Sequence, residues 1–450
     1  MTPLDPAELG SDQYRRSPEP VWERMRHDHP LFHDPINDIW WLTRYADVAS
    51  VFADHATYSA STYEETTGQV LGPTLISRDD HGHVVRRKIV APDFVGKRLA
   101  TYRGMIRATA SLLVNEFSDL GEVDFVSQFS SRLPVEVIAG MLGMVGDGEL
   151  FRSWVTDMIL GLAPVEELRT RGLAAHQAFA DHITPALEHV DDPRRTDHIA
   201  KIARAEVEGH RLDRDEIIAF CGLLFIAGGE TTDKAMANMW WHLLTRPELL
   251  VEVQADDRLW DNAFSETMRR TPPVISEDRH TTRPVEWYGT EIPAGARVRV
   301  CMGSANLDET VFADPLTFDL EREDLHLGVE LRSGGSTDAA VSFSKGRNAA
   351  CSTAGSALTS PTFSCATAAL KPVRTTPIPI SAEYLTVSSL SSSPLPPPPL
   401  PRLRGRDPRR PGSSGRTELR TARRGGAPPR SAETSSPPSR PRSRGDRPGR

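Results

Sequence analysis

The stretch that decides the fold is Leu223–Ala237, LLFIAGGETTDKAMA. It begins as an apolar helix, then sets two glycines, an acid and two threonines where more leucine would continue the pattern. Gly228 and Gly229 each cost a helix interior about 1 kcal/mol relative to alanine. Glu230, Thr231 and Thr232 add polar groups that need partners once buried, and their local hydrogen bonds can loosen or bend a helix. In one reading the glycines serve a close helix crossing. In the other the helix breaks midway to make room for a ligand.

Outward from this stretch, Leu212–Thr245 reads as one long central helix, with Asp213 as cap, Glu216 at capping-box spacing and Arg246–Pro247 as its end. Downstream, Asp261–Arg270 predicts a helix in which Glu266 and Arg269 pair at i, i+3. TPPV (Thr271–Val274) follows, and Val274–Val300 predicts strands with turns at Tyr288–Gly289 and Pro293–Gly295. Upstream, Pro20–His27 reads as a short helix, and Pro30–Phe52 alternates like a small β-unit before turning helical at Tyr45. In Ser77–Val90, Asp79 or Asp80 is the candidate cap of a helix that stacks His83 and Arg87 on one face. That face is either solvated or an anion site. Tyr102–Phe117, Ser127–Leu142, Leu150–Leu162 and Glu166–Val190 are helical by period. Met158, Ile159, Leu160 and Leu162 serve equally as an apolar pocket lining or as ordinary helix core.

The composition is divided along the chain. Its hydrophobic fraction of 38% is low and its 36 prolines are many among 450 residues. Residues 401–450 hold 15 arginines against 4 acids, which leaves the preceding 400 residues at a net charge of −19. An acidic body argues against nucleic acid as its main partner. Four cysteines (Cys221, Cys301, Cys351, Cys365) show no paired metal spacing and point to a reducing compartment. No basic-then-apolar leader and no run of about 18 apolar residues is present, so the expectation is a cytoplasmic protein without a membrane span.

Taken in order, the motifs resemble the cytochrome P-450 family over roughly residues 15–330. Ala227–Thr232 matches the family's central-helix pattern, which implies that Thr231 and Glu230 deliver protons to bound oxygen and that Gly228 and Gly229 lie against the cofactor. HGHVVRR followed by APDF implies that His83 and Arg87 hold the haem propionates, with Arg279 as a third propionate ligand. Glu266 and Arg269 match a buried structural pair, and GSANLDETVFADPLTF (Gly303–Phe318) follows the family closely. Thr317 stands where the family often has an arginine that locks this pair, which predicts a looser network. The implied fold is mostly α with a small β region, a single domain enclosing haem b. The implied activity is oxygen activation to hydroxylate a small apolar substrate, with electrons from a separate ferredoxin or flavoprotein.

The family's iron ligand is a cysteine thiolate, which pushes electron density toward oxygen. The nearest match here is SFSKGRNAACSTAG, Ser342–Gly355. Phe343 and Gly346 are correctly spaced for the cofactor loop and Asn348 lies at a propionate position, but Cys351, the candidate axial ligand, comes one residue late. Beyond it, Pro361, Pro372, Pro377 and Pro379 oppose the helix the family continues with. The chain therefore divides into a family-like domain (1–328), a degenerate cysteine-loop region (329–370) and a Pro/Arg/Ser-rich disordered tail (371–450). The tail reads as a basic arm or as translation of a GC-rich gene in the wrong frame. The second option carries an alternative function: a family fold, inactive for want of productive haem-thiolate ligation.

Overall fold

The computed structural model describes residues 4–329 apart from 80, 95 and 121. Helices of seven residues or more, numbered along the chain, are α1 (Glu19–Asp28), α2 (Tyr45–Ala53), α3 (His81–Val90), α4 (Gly96–Phe117), α5 (Arg132–Met141), α6 (Gly148–Leu160), α7 (Glu166–Leu187), α8 (His198–Arg204), α9 (Arg214–Leu244), α10 (Pro247–Ala255) and α11 (Leu259–Arg270). The strands are β1 (Leu31–Asp34), β2 (Ile39–Leu42), β3 (Tyr58–Ser59), β4 (Glu277–Thr281), β5 (Val285–Trp287), β6 (Thr290–Ile292) and β7 (Arg297–Val300).

Helix α9 starts where the capping box places it. Asp213 Oδ1 accepts the Glu216 N–H at 2.8 Å, and Glu216 Oε2 accepts the Asp213 N–H at 3.2 Å. It then runs unbroken through GGETT, against the expectation of a break. The reason is local. The Thr231 hydroxyl donates to the Ala227 carbonyl one turn back at 2.6 Å, and Glu230 pairs with Lys234 one turn on, so the polar groups find partners within the helix. The glycines serve the crossing: a Cβ on Gly228 would lie 2.4 Å from Ile138 Cδ1 of α5, and one on Gly229 would press on Val155 and Val135 at 3.3 and 3.4 Å.

Buried apolar residues follow on every side of α9, as befits a helix inside a large core. It packs against α5, α6, α7, α8, α10 and α11. Its first half joins one cluster with Phe151, Met158 and Phe179, and its second half another with Phe129, Trp260 and Phe264. Each such side chain contributes about 1.5–3 kcal/mol of burial.

The β-unit forms as its alternation predicts. β1 and β2 are an antiparallel hairpin, and β2 pairs parallel with β7 in a five-stranded sheet of order β1-β2-β7-β4-β3. Tyr288 and Gly289 both take positive φ (53° and 77°) in the β5–β6 turn, the conformation that a tight hairpin requires.

Two expectations change. Ser127–Leu142 is not one helix: a π-helical turn at Val126–Ser130 precedes α5. Pro134 has no N–H for the Ser130 carbonyl and its ring opposes a regular turn there. The Asp79 carboxylate accepts from the Ser59 hydroxyl at 2.5 Å and the Ala60 N–H at 2.9 Å, and Asp80, the other candidate cap of α3, lies outside the described residues. Helix α7 ends at Leu187, three residues short of Val190. The segments 329–370 and 371–450 fall outside the described residues, Val329 excepted. Among the described residues no helix is long and apolar enough to cross a membrane.

Candidate functional site

Helix α3 carries the first pair of expected site residues. His83 is buried, so its face is not simply solvated, and its Nδ1 lies 2.9 Å from the Leu75 carbonyl. That contact makes Nδ1–H the donor and orients the ring. Arg87 stands one turn further along, and burial lowers its pKa. The helix is tied to the start of α9 by Arg86, whose Nε donates to Glu216 Oε1 at 2.7 Å.

Arg279 is buried on β4. Its guanidinium lies 5.3 Å from the Phe52 ring and 5.7 Å from the Tyr63 ring, and Nη1 donates to the Asp278 carbonyl at 2.7 Å. The helical turn holding Tyr63 (Thr62–Glu65) packs on β4 and on the Leu75–Ser77 turn that receives His83. His83 and Arg279 thus flank one folded segment.

On α9, Thr231 and Glu230 are adjacent. The Thr231 hydroxyl proton is committed to Ala227, which leaves its oxygen lone pairs as acceptors. Two residues after Thr231, and unnoticed in the sequence, Asp233 accepts from Ser130 Oγ at 2.5 Å, and burial pushes its carboxyl up to about 6. The available signal was an acid immediately after Thr231–Thr232 in an apolar helix.

Glu266 and Arg269 are fully buried and doubly bonded, with both N–O distances 2.7 Å. Arg269 Nη1 also donates to the Asn306 and Pro315 carbonyls at 2.8 Å. The predicted loosening at Thr317 is incorrect. Arg322 Nε reaches Glu266 Oε1 at 3.2 Å, and the Thr317 carbonyl accepts from both arginines. The locking arginine comes from five residues further along the chain.

Phe343, Gly346, Asn348 and Cys351 lie outside the described residues. Cys221 and Cys301 are buried, and burial raises both thiols, that of Cys301 to about 12. For the carboxylates of haem b, the donor set of one oriented imidazole and two buried or half-buried guanidiniums is chemically suited. His83, Arg87 and Arg279 fit that group.

A family model described as cytochrome P-450 matches residues 162–349. Cyclomarin C epoxidase CymV of Salinispora arenicola is 32% identical over 318 residues, 68% of this chain and 80% of that protein. Pulcherriminic acid synthase of Bacillus subtilis is 28% identical over 70% of this chain and 79% of its own length. The ligand-free structure of cytochrome P-450 TbtJ1 superposes with a TM-score of 0.67 at 29% identity, covering 76% of this chain and 89% of that one. CYP109E1 of Bacillus megaterium, solved with testosterone, gives a TM-score of 0.68 at 26% identity over 77% and 91% of the two chains. With the motifs in order, the fold in common and 32% identity to one relative over 318 aligned residues, the chain belongs to the cytochrome P-450 family, monooxygenases that bind haem b and its iron.

Proposed function

We propose that this chain is a monooxygenase that hydroxylates a small apolar substrate with electrons from a separate ferredoxin or flavoprotein. The observation that carries the proposal is the pairing on α9 of Thr231, hydrogen-bonded to Ala227, with the acid Glu230 beside it. Haem b, when bound, supplies dioxygen binding and activation at its iron through a cysteine thiolate, for which Cys351 is the candidate.

The chain's own groups do the rest. Arg87 and Arg279 hold the propionates as N–H donors, His83 does so through Nε2–H as an imidazolium because its Nδ1–H is committed to Leu75, and Phe343 and Gly346 belong to the loop that carries the thiolate. Gly228 and Gly229 bring α9 close to α5 and α6. Thr231 accepts a hydrogen bond at the oxygen site, and Glu230 exchanges Lys234 for a proton to be passed inward. Residues 1–328 act as the catalytic domain, and 329–370 must supply the ligand loop.

The test is reconstitution with hemin, a ferredoxin–reductase pair and a panel of apolar substrates under heavy-isotope dioxygen. The expected result is a product carrying one labelled oxygen atom. Haem bound without labelled product overturns the proposal.

The inactive reading keeps one observation in its favour: Cys351 follows Gly346 by one residue more than the family's loop allows. Sequencing the codons for Leu327–Thr359 decides it, since a second frame encoding the missing helix would identify a frameshift.

A further inference from the structure

Arg279 is not an open cation. On the same strand and the same face, Glu277 Oε2 lies 3.9 Å from Arg279 Nη1. Glu277 is in turn fixed by the Tyr63 hydroxyl, which donates to the same oxygen. The Tyr63 and Phe52 rings both lie against the guanidinium, with centroids 5.7 and 5.3 Å away. Both charged side chains are sequestered, with 4% of Arg279 and 14% of Glu277 exposed. The second acid of the strand is occupied elsewhere: Asp278 pairs with Arg299 at 2.6 and 2.8 Å. Arg279 therefore has a resident carboxylate, supplied by its own strand and anchored by a phenol.

We infer that Glu277, held by Tyr63, is a built-in counter-anion of Arg279, and that an incoming carboxylate binds Arg279 only by displacing it. The inference rests on the proposed haem site and deepens it, since the incoming carboxylate is a haem propionate. Two carboxylates cannot share one guanidinium at low dielectric without mutual repulsion. An internal competitor of fixed position lowers the affinity of any external one. Glu277 is thus a positioning residue that weakens the grip on one propionate, and Tyr63 sets how firmly it does so.

The test is titration of the haem-free full-length protein with hemin, followed by Soret absorbance. Glu277→Gln keeps the shape and the Tyr63 contact but removes the charge, and hemin should bind it about tenfold more tightly than the parent. Tyr63→Phe, which frees Glu277 to swing, should give a smaller gain. The Glu277→Gln gain should vanish in an Arg279→Met background. It should also vanish with hemin dimethyl ester, whose propionates are uncharged. Far-UV circular dichroism confirms that each variant is folded. Equal or weaker hemin binding by folded Glu277→Gln overturns the inference while leaving the haem site standing. No hemin binding by any folded variant overturns both.

Discussion

Arg322 Nε lies 3.2 Å from Glu266 Oε1, and the same Glu266 is clamped by Arg269. One buried carboxylate therefore serves two guanidiniums, from α11 and from the loop after Phe318. These arginines also take the carbonyls of Ala313, Asp314, Pro315 and Thr317, so the pair ties the segment before Phe318 to α11.

Unequal costs follow for the two arginines. Arg269→Ala leaves Glu266 buried with only the Arg322 guanidinium and the Asp319 N–H as partners and should cost roughly 3–5 kcal/mol. Arg322→Ala leaves the doubly bonded Glu266–Arg269 pair intact and should cost less, about 1–3 kcal/mol. Urea midpoints of the two variants check the order; a larger loss for Arg322→Ala would contradict the assignment.

Gly228→Ala should destabilise by about 1–3 kcal/mol, because the new methyl meets Ile138 Cδ1. Gly229→Ala should cost less, since its neighbours stand about an ångström further off. Ile138→Val in the Gly228→Ala background should recover part of the loss. A double-mutant cycle with no coupling would show that the glycine answers to something other than this crossing.

One half-buried and one buried acid should pull stability in opposite directions with pH. The folded carboxyl of Asp233 is raised to about 6, so the folded state binds its proton more tightly than the unfolded chain. Its contribution is lost as pH rises from about 4 to about 6, and Asp233→Asn should remove that fall of roughly 2–3 kcal/mol. Burial raises Asp93 as well, but His198 Nδ1 at 2.8 Å and Lys201 Nζ at 3.2 Å outweigh it and hold it at about 2. That contribution is present above about 4 and lost as pH falls toward about 2. Denaturation midpoints of parent and Asp233→Asn at pH 4 and pH 7 are the check; parallel lines would refute the Asp233 assignment.

Thr231→Ala should leave the fold almost unchanged, because the lost bond is within one helix turn. It should lower product formed per electron consumed by roughly tenfold or more, the scale of a misplaced proton-transfer group. Unchanged coupling of electrons to product would remove Thr231 from the proposed proton path.

What the sequence makes legible is what neighbours in sequence decide. The Asp213–Glu216 capping box, the Glu266–Arg269 pair and the Tyr288–Gly289 turn each close within a few residues, and each forms as read. Arg322 was missed because its partner Glu266 lies 56 residues away, and the register that suggested position 317 carries no information about where the loop folds back. Asp233 was missed for the same reason, since Ser130 is 103 residues distant. The helix break was predicted from glycine propensity, and the packing of Ile138, Val135 and Val155 against those glycines overrides it. The tail's composition is plain, yet composition cannot say whether Cys351 reaches an iron.

That question is answered most directly by the absorbance spectrum of the purified, reduced protein exposed to carbon monoxide. The account predicts a strongly red-shifted Soret band, lost in Cys351→Ala and kept in Cys365→Ala. A band typical of histidine-ligated iron, or no haem at all, would contradict it.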